Sequence, residues 1–333
     1  MSYSICLGEI VTECFAEQPG VSRAEVKSWA PLPGGFAANV ACALAKLGNS
    51  VEFVGAVGQD HWGRALVQLL TDMNVGTAGI QKRLKAPTRK VYLLSDEGGE
   101  PTFAGFSEGD PAVFADAHVF ANALNGDLFQ AANFLVLGTF LLAYEDGREA
   151  VEKAIDLANL QNALIFVDIN WRPMYWPSPL DAPGRIYDLL QKAHFLKLSE
   201  DEADWLFGSV SAEVIAHQLP HLKGVLVTLV KQGCHYYFQK GLRAVAPSLS
   251  SGISGQVSGF NVDVEDTSGA SEAFVAGFIS RLIRYGPGCL LDEKLSHQVV
   301  TYACAVAALT TTRLGAIAAL PTKTEIEAFL YLN

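Results

Sequence analysis

Between residues 134 and 228, short apolar runs alternate with helical stretches, and that alternation leaves little choice of fold. Phe134-Leu135-Val136-Leu137 reads as a strand, 148–160 as a helix and 164–168 as the next strand. A helix near 184–192, a strand at 194–198, a helix from Glu200 and a strand at 225–228 continue the series. Strands that are apolar along their whole length are covered on both faces, and strands separated by helices pair in parallel. The expected class is α/β: a doubly wound, mainly parallel sheet covered by helices on both faces. Earlier segments fit this frame. Residues 3–7 read as a strand, Val40, Leu44 and Leu47 as a helix stopped at Gly48, and 51–57 as a buried strand. A loop over 55–63 then leads into a helix through Met73. The chain has 333 residues, half of them hydrophobic and 18% charged, enough for a sizeable core. With no internal repeat, low-complexity tract or linker, a single domain over 1–333 is expected.

Two segments break the alternation. Residues 15–32, with Pro19-Gly20, Pro31 and Pro33, read as a short hairpin. Residues 85–106 alternate as strands at 90–94 and 102–106 around a Gly98-Gly99 turn. Such hairpins sit oddly among helix–strand repeats. They are expected to leave the main body and pair as a small β-sheet lid, formed by about 12–32 and 85–107. Open sheet edges tend to find partners, so a homodimer through the lid is expected.

Bulk properties exclude several classes. The net charge of −11 argues against nucleic acid as a partner, because phosphate backbones are held mainly by Lys and Arg. A nucleotide bound at a local site stays open. Cys6, Cys14, Cys42, Cys234, Cys289 and Cys304 show no C-x-x-C spacing and read as small buried hydrophobes of a reducing compartment. The longest near-apolar run, 134–143, is too short to span a bilayer. The chain opens on a strand pattern, not on a basic stretch with an apolar core. No membrane association and a cytoplasmic location are the expectations.

In open α/β sheets, ligands sit beyond the C-terminal ends of the strands. Chemistry-bearing residues recur at those ends. Gly8-Glu9 and Val11-Thr12-Glu13 follow the first strand. Asp168, Asn170 and Arg172 follow another, then Lys197, Ser199 and Glu202, then 228–233. The paired glycines Gly34-Gly35 precede a helix carrying Asn39, which offers donors and an acceptor, although a tight turn with a cap accounts for the same residues. The Asp266-Thr267-Ser268-Gly269-Ala270-Ser271-Glu272 stretch opens into a helix whose apolar face is Phe274, Val275, Phe278, Ile279, Leu282 and Ile283. Gly269 lets backbone approach a ligand, the helix start favours an anion such as phosphate, and Glu272 faces whatever reacts with that anion. A plainer account makes Asp266 or Ser268 a cap and Glu272 a complement to the helix dipole.

On these residues the chain resembles the ribokinase-like (PfkB) sugar kinases, and among them the fructokinases. The likeness runs nearly end to end, from Gly8-Glu9 to Gly315-Ala316-Ile317 and Leu320-Pro321-Thr322. Two signatures carry it: 33–41 with Gly55-x-x-Gly58-x-Asp60-x-x-Gly63, and 266–277. Asp168, Asn170 and Arg172 with Trp176 add to it, as does Lys197-x-Ser199-x-x-Glu202. The resemblance implies transfer of the ATP γ-phosphoryl to a sugar hydroxyl. It implies sugar contacts at Glu13, Gly34, Gly35, Asn39, Asp168, Asn170 and Arg172, and an anion hole in the N–H groups of Gly269, Ala270 and Ser271. Glu272 would be the base. Glu202 would act near Mg²⁺ through water. Lys197, Ser199, Thr228, Gly233, Asp266, Cys304 and Gly315 would lie on the nucleotide side. ATP and Mg²⁺ are the expected cofactors, with a monovalent cation left open.

The chain departs from the family pattern in one region. G-A-G-D reads Gly269-Ala270-Ser271-Glu272, the sugar-binding Asp is Glu13, and the first glycine of T-x-G-x-x-G is Val230. Glutamate has nearly the intrinsic pKa of aspartate but reaches about 1.5 Å further. The Ser271 hydroxyl could join the anion hole. Two readings follow: a fructokinase-like sugar kinase with Glu272 as base, or a catalytically impaired member acting as a regulatory or scaffold partner.

Overall fold

The computed structural model describes residues 3–95, 101–229, 232–240 and 252–333. The Gly98-Gly99 turn and the Val230-Lys231 pair lie outside them. The first part of the chain forms β1 (Tyr3–Leu7), β2 (Val11–Ala16), β3 (Trp29–Gly34), α1 (Phe36–Lys46), β4 (Ser50–Gly58), α2 (His61–Asp72) and β5 (Gly76–Arg83). Next come β6 (Lys90–Ser95), β7 (Pro101–Phe106), β8 (Ala132–Leu137), α3 (Glu145–Leu160), β9 (Leu164–Asp168) and α4 (Ala182–Leu190). Then follow β10 (Phe195–Ser199), α5 (Glu200–Phe207), α6 (Ala212–Gln218), β11 (Gly224–Leu229), β12 (Gly233–Gln239) and β13 (Gly252–Val257). Helices α7 (Ala270–Tyr285), α8 (Glu293–Thr310) and α9 (Lys323–Leu332) close the chain.

Nine strands form the main sheet, in the order β13-β12-β11-β10-β9-β8-β1-β4-β5. From β11 to β5 every pairing is parallel; β12 and β13 add an antiparallel end. Alternate residues of each strand enter opposite cores, as the period of two requires. Leu135, Leu137, Ile165, Val167, Leu196 and Leu198 face one side with α3 and α4. Phe134, Val136, Phe166 and Phe195 face the other with α1, α7 and α8. The doubly wound, mainly parallel architecture is thus present, with both faces covered.

The two hairpins that broke the alternation form a separate sheet, β3-β2-β6-β7. β2 and β6 pair in parallel, joining the two hairpins. Two expectations shift. Residues 11–13 are part of β2, so Glu13 stands on a strand, in register with Leu32 and Val91. β4 extends through Gly58, and α2 begins at His61, so the 55–63 loop shrinks to a short turn.

The second sheet is fastened at its base by Arg89, which directly precedes β6. Its backbone carbonyl accepts the Thr12 amide at 3.0 Å. Its guanidinium is fully buried, paired with Asp116 at 2.7 Å, and surrounded by the rings of Phe106, Phe114, Phe140, Tyr144 and Tyr175.

Candidate active site

The start of α7 is held by its flanking loops. Asp266 accepts the Ser268 amide on one carboxylate oxygen at 2.8 Å and the Gly315 amide on the other at 2.7 Å. The Glu265 amide donates to the Thr311 carbonyl at 2.8 Å. Gly269 caps the helix at φ 77, a left-handed conformation that favours glycine. A Cβ on it would lie 2.8 Å from the Cα of Ala316. Among the expected anion-hole amides, that of Ala270 makes a long 3.3 Å bond to the Thr267 carbonyl. The Ala273 amide reaches the Gly269 carbonyl at 2.9 Å, so the amides of Ser271 and Glu272 precede that first helical bond. Those amides and the helix dipole suit a bound anion. Glu272 sits two residues inside the helix and is only 8% exposed.

Beneath this turn lies a polar triad. Asp168 ends β9 and Lys197 lies on β10, directly opposite in the parallel register. Lys197 Nζ is 3.2 Å from Asp168 Oδ2, and both side chains are buried. Ser271 joins them: Lys197 Nζ donates to Ser271 Oγ, and Ser271 Oγ donates to Asp168 Oδ2 at 3.3 Å. Burial works against the Lys197 charge, but the Asp168 and Glu202 carboxylates outweigh it and raise its pKa. The Ser271 hydroxyl is therefore turned toward the sheet. That differs from a hydroxyl joining the anion hole, and the buried ion pair is the reason: it offers a donor and an acceptor within reach of one rotamer.

Acidic groups gather on the side nearer the second sheet. The Glu13 side chain lies against Gly34, where a Cβ would come within 2.5 Å of its carboxyl. Burial pushes Glu13 up to about 7; the Glu272 charge adds to the shift and Arg172 opposes it. Gly35 has φ 105, and a Cβ there would meet the Glu9 carbonyl at 2.7 Å. Asn39 is buried in α1, and its Oδ1 has no hydrogen-bond partner among the described residues. Asn170 adopts φ 40 and donates its amide to Asp168 at 3.2 Å. Arg172 is exposed and donates to the Trp171 carbonyl at 3.0 Å.

Glu9 belongs to this group, although sequence reasoning noted it only as a carboxylate beyond a strand. It is 4% exposed, Oε1 accepts the Phe36 amide at 2.8 Å, and Oε2 has no partner among the described residues. Burial raises it to about 7, with Asp116 and Glu272 contributing.

Glu202 and Ser199 form a capping box at the start of α5. Glu202 accepts the Ser199 amide at 2.7 Å on one oxygen and the Trp171 amide at 2.6 Å on the other. It thereby ties the loop after β9 to the loop after β10. Each oxygen keeps a free lone pair. Among the described residues, no three His, Cys, Asp or Glu side chains form a ready metal cage. That donor set fits Mg²⁺, which is usually held by one or two carboxylates, water and phosphate.

The remaining expected residues stand further along the strand ends. Thr228 donates to the Leu198 carbonyl at 3.3 Å and lies opposite Ser199 in register. Gly233 has φ 94, and a Cβ on it would sit 2.0 Å from the Val257 carbonyl, so hairpin packing alone accounts for the glycine. Cys304 is buried in α8. Among the described residues, no hydrogen bond joins Thr228, Gly233 or Cys304 to the start of α7. A cavity of about 450 Å³, lined by Phe195, His221, Lys223, Phe238 and Leu290, opens at the opposite ends of the strands and belongs to a different region.

The chain is similar to known proteins along nearly its whole length. A family profile described as pfkB family carbohydrate kinase matches residues 1–323. Fructokinase-1 of Zea mays is 34% identical over 325 residues, covering 97% of this chain and 95% of that protein. Fructokinase-2 of Solanum lycopersicum is 34% identical over 326 residues, covering 96% and 94%. A crystal structure of fructokinase with bound ATP from Xylella fastidiosa superposes with a TM-score of 0.86 at 26% identity, over 99% and 98% of the two chains. Fructokinase from Vibrio cholerae O395, in a fructose, ADP and calcium ion bound form, gives 0.82 at 27% identity over 99% of each chain.

Proposed function

Because the chain belongs to the pfkB family of carbohydrate kinases, phosphotransferases with an alcohol acceptor, we propose that its own reaction is transfer of the ATP γ-phosphoryl to fructose. The observation that carries the reading is the position of Glu272. It is a buried carboxylate in the first turn of a helix whose free amides suit phosphate, across from the acidic pocket of Glu13 and Glu9.

In this reading Glu13, Asn39 and the backbone at Gly34 and Gly35 hold the sugar hydroxyls, with Asp168, Asn170 and Arg172 completing the pocket wall. Packing of the Glu13 carboxyl against Gly34 and of the Glu9 carbonyl against Gly35 brings these residues to one place, which supports that role. Glu272 accepts the proton of the attacking hydroxyl. The amides at the start of α7 meet the developing charge on the phosphoryl oxygens, which is the larger part of catalysis in phosphoryl transfer. Lys197, Ser199, Thr228, Gly233, Asp266, Cys304 and Gly315 frame the nucleotide side. Mg²⁺, held near Glu202 through water, would supply neutralisation of phosphate charge. The second sheet closes over the sugar as a lid and pairs with a second copy.

The test is ADP release from Mg-ATP across a panel of sugars. Turnover that depends on fructose is the expected result, and potassium titration in the same assay reads any monovalent-ion requirement. Absence of sugar-dependent turnover across the panel would overturn the reading and leave a regulatory or scaffold role.

A further inference from the structure

We propose that the Ser271 side chain is a positioning residue: anchored on Lys197 and Asp168, it sets the first turn of α7, and with it Glu272 and the anion-binding amides. The proposal rests on the kinase reading and extends it to a hydroxyl whose role in that reaction was unassigned.

Two strands carry the anchor at two levels. Phe166 on β9 and Phe195 on β10 face α7, where Phe278 packs on them with ring centroids 5.9 and 5.8 Å apart. Two residues further along each strand, on the same face, stand Asp168 and Lys197. Seven residues before Phe278, two turns toward the start of the helix, stands Ser271, which bonds to both. The helix thus rests on the same strand pair through an aromatic contact and a polar one, about 10 Å apart along its axis. With the aromatic contact alone, the first turn is held only by α1, α8 and its flanking loops; the polar contact adds a fixed height of that turn above the strands.

The polar contact is stiff because its partners are fixed. Lys197 and Asp168 are buried and bonded to each other, and Asp168 also accepts the Asn170 amide. Releasing Ser271 leaves that pair in place but removes its hold on α7. Glu272 is the next residue. A displacement of about 1 Å in a reacting group lowers rate on the order of 10²-fold, so a modest shift of this turn registers in turnover.

The experiment uses Ser271→Ala in two backgrounds, native and Glu272→Gln, with Ser271→Thr as the variant that keeps the hydroxyl. In the native background Ser271→Ala lowers kcat for fructose on the order of 10- to 100-fold with KM within about threefold, and Ser271→Thr recovers much of it. In the Glu272→Gln background the same change costs clearly less in kcat, since only the amides remain to be positioned. Calorimetry adds a reading independent of turnover: Ser271→Ala weakens a non-hydrolysable ATP analogue on the order of 10-fold while ADP affinity stays within about twofold. An equal loss of kcat in both backgrounds, or unchanged affinity for the analogue, overturns the proposal. If wild type turns over no sugar, the kinase reading fails separately, and the binding measurement alone decides the role of Ser271.

Discussion

Gly315 donates its amide to Asp266 at 2.7 Å, which ties the turn after α8 to the loop before α7. The other Asp266 oxygen holds the Ser268 amide, so one carboxylate sets both walls around Gly269. Charged hydrogen bonds of this kind contribute about 1.5–3 kcal/mol each. Asp266→Ala is expected to lower stability by about 2–4 kcal/mol in urea unfolding and to reduce turnover as well. A variant as stable as wild type would show that the 266–269 loop is held by other contacts.

Glu272→Gln keeps the size of the side chain and removes its basicity. A positioned general base contributes about 10²–10⁴-fold, so kcat should fall by that factor while the fructose KM changes little. A loss seen in KM alone would reassign Glu272 to binding. Glu272→Asp shortens the reach by about 1.5 Å and should be slower than wild type if Ser271 and Glu272 are matched to each other.

Glu9 supplies a pH signature. Its folded pKa of about 7 stands above the 4.5 of an unstrained glutamate. The folded state therefore binds the extra proton. The stability that Glu9 contributes is fully present below about pH 4.5 and is lost as pH rises through 7, by up to about 3 kcal/mol. Glu9→Gln removes the titrating group. Unfolding free energies of the two proteins should diverge in favour of the variant between pH 5 and pH 8. Parallel curves across that range would place Glu9 in a more polar setting than its burial indicates.

Glu202→Gln leaves one oxygen where two amides are held. The Trp171 or the Ser199 amide then loses its acceptor, which costs about 1–3 kcal/mol. The Mg²⁺ concentration for half-maximal turnover should rise in the same variant. A stability loss with an unchanged Mg²⁺ dependence would make Glu202 a clamp between two loops and nothing more.

Much of this molecule was legible in its residues. Strands β8 to β11 are apolar runs of the right length, and their burial on both faces follows directly. β5 gave no such signal: its GTAGIQKR sequence is that of a polar edge strand, half-exposed along most of its length. β12 runs against β11 and β13 turns back against β12, which the βα rhythm does not announce. α8 passes through a nearly continuous small and apolar stretch, 302–309, that shows no clean helical period. At the site, residue types and strand ends pointed to Glu272, Asp168 and Lys197. That Ser271 faces the ion pair was not legible, because a rotamer choice between two acceptable partners is made by tertiary packing. Glu9 was passed over because a carboxylate just beyond a strand is common, and only its burial and its unpaired oxygen set it apart.

Arg89 gives the second sheet its mechanical character. Its guanidinium is sunk among five aromatic rings and bonded to Asp116, while its carbonyl is stitched to β2. Pulling that charge out of the body would strand Asp116 without its partner, so the root of the sheet stays moored. Any swing of the sheet is then a rotation about Arg89. In such a rotation the far ends of β6 and β7 would travel most and the neighbourhood of Glu13 least, a lever with its fulcrum beside Glu13.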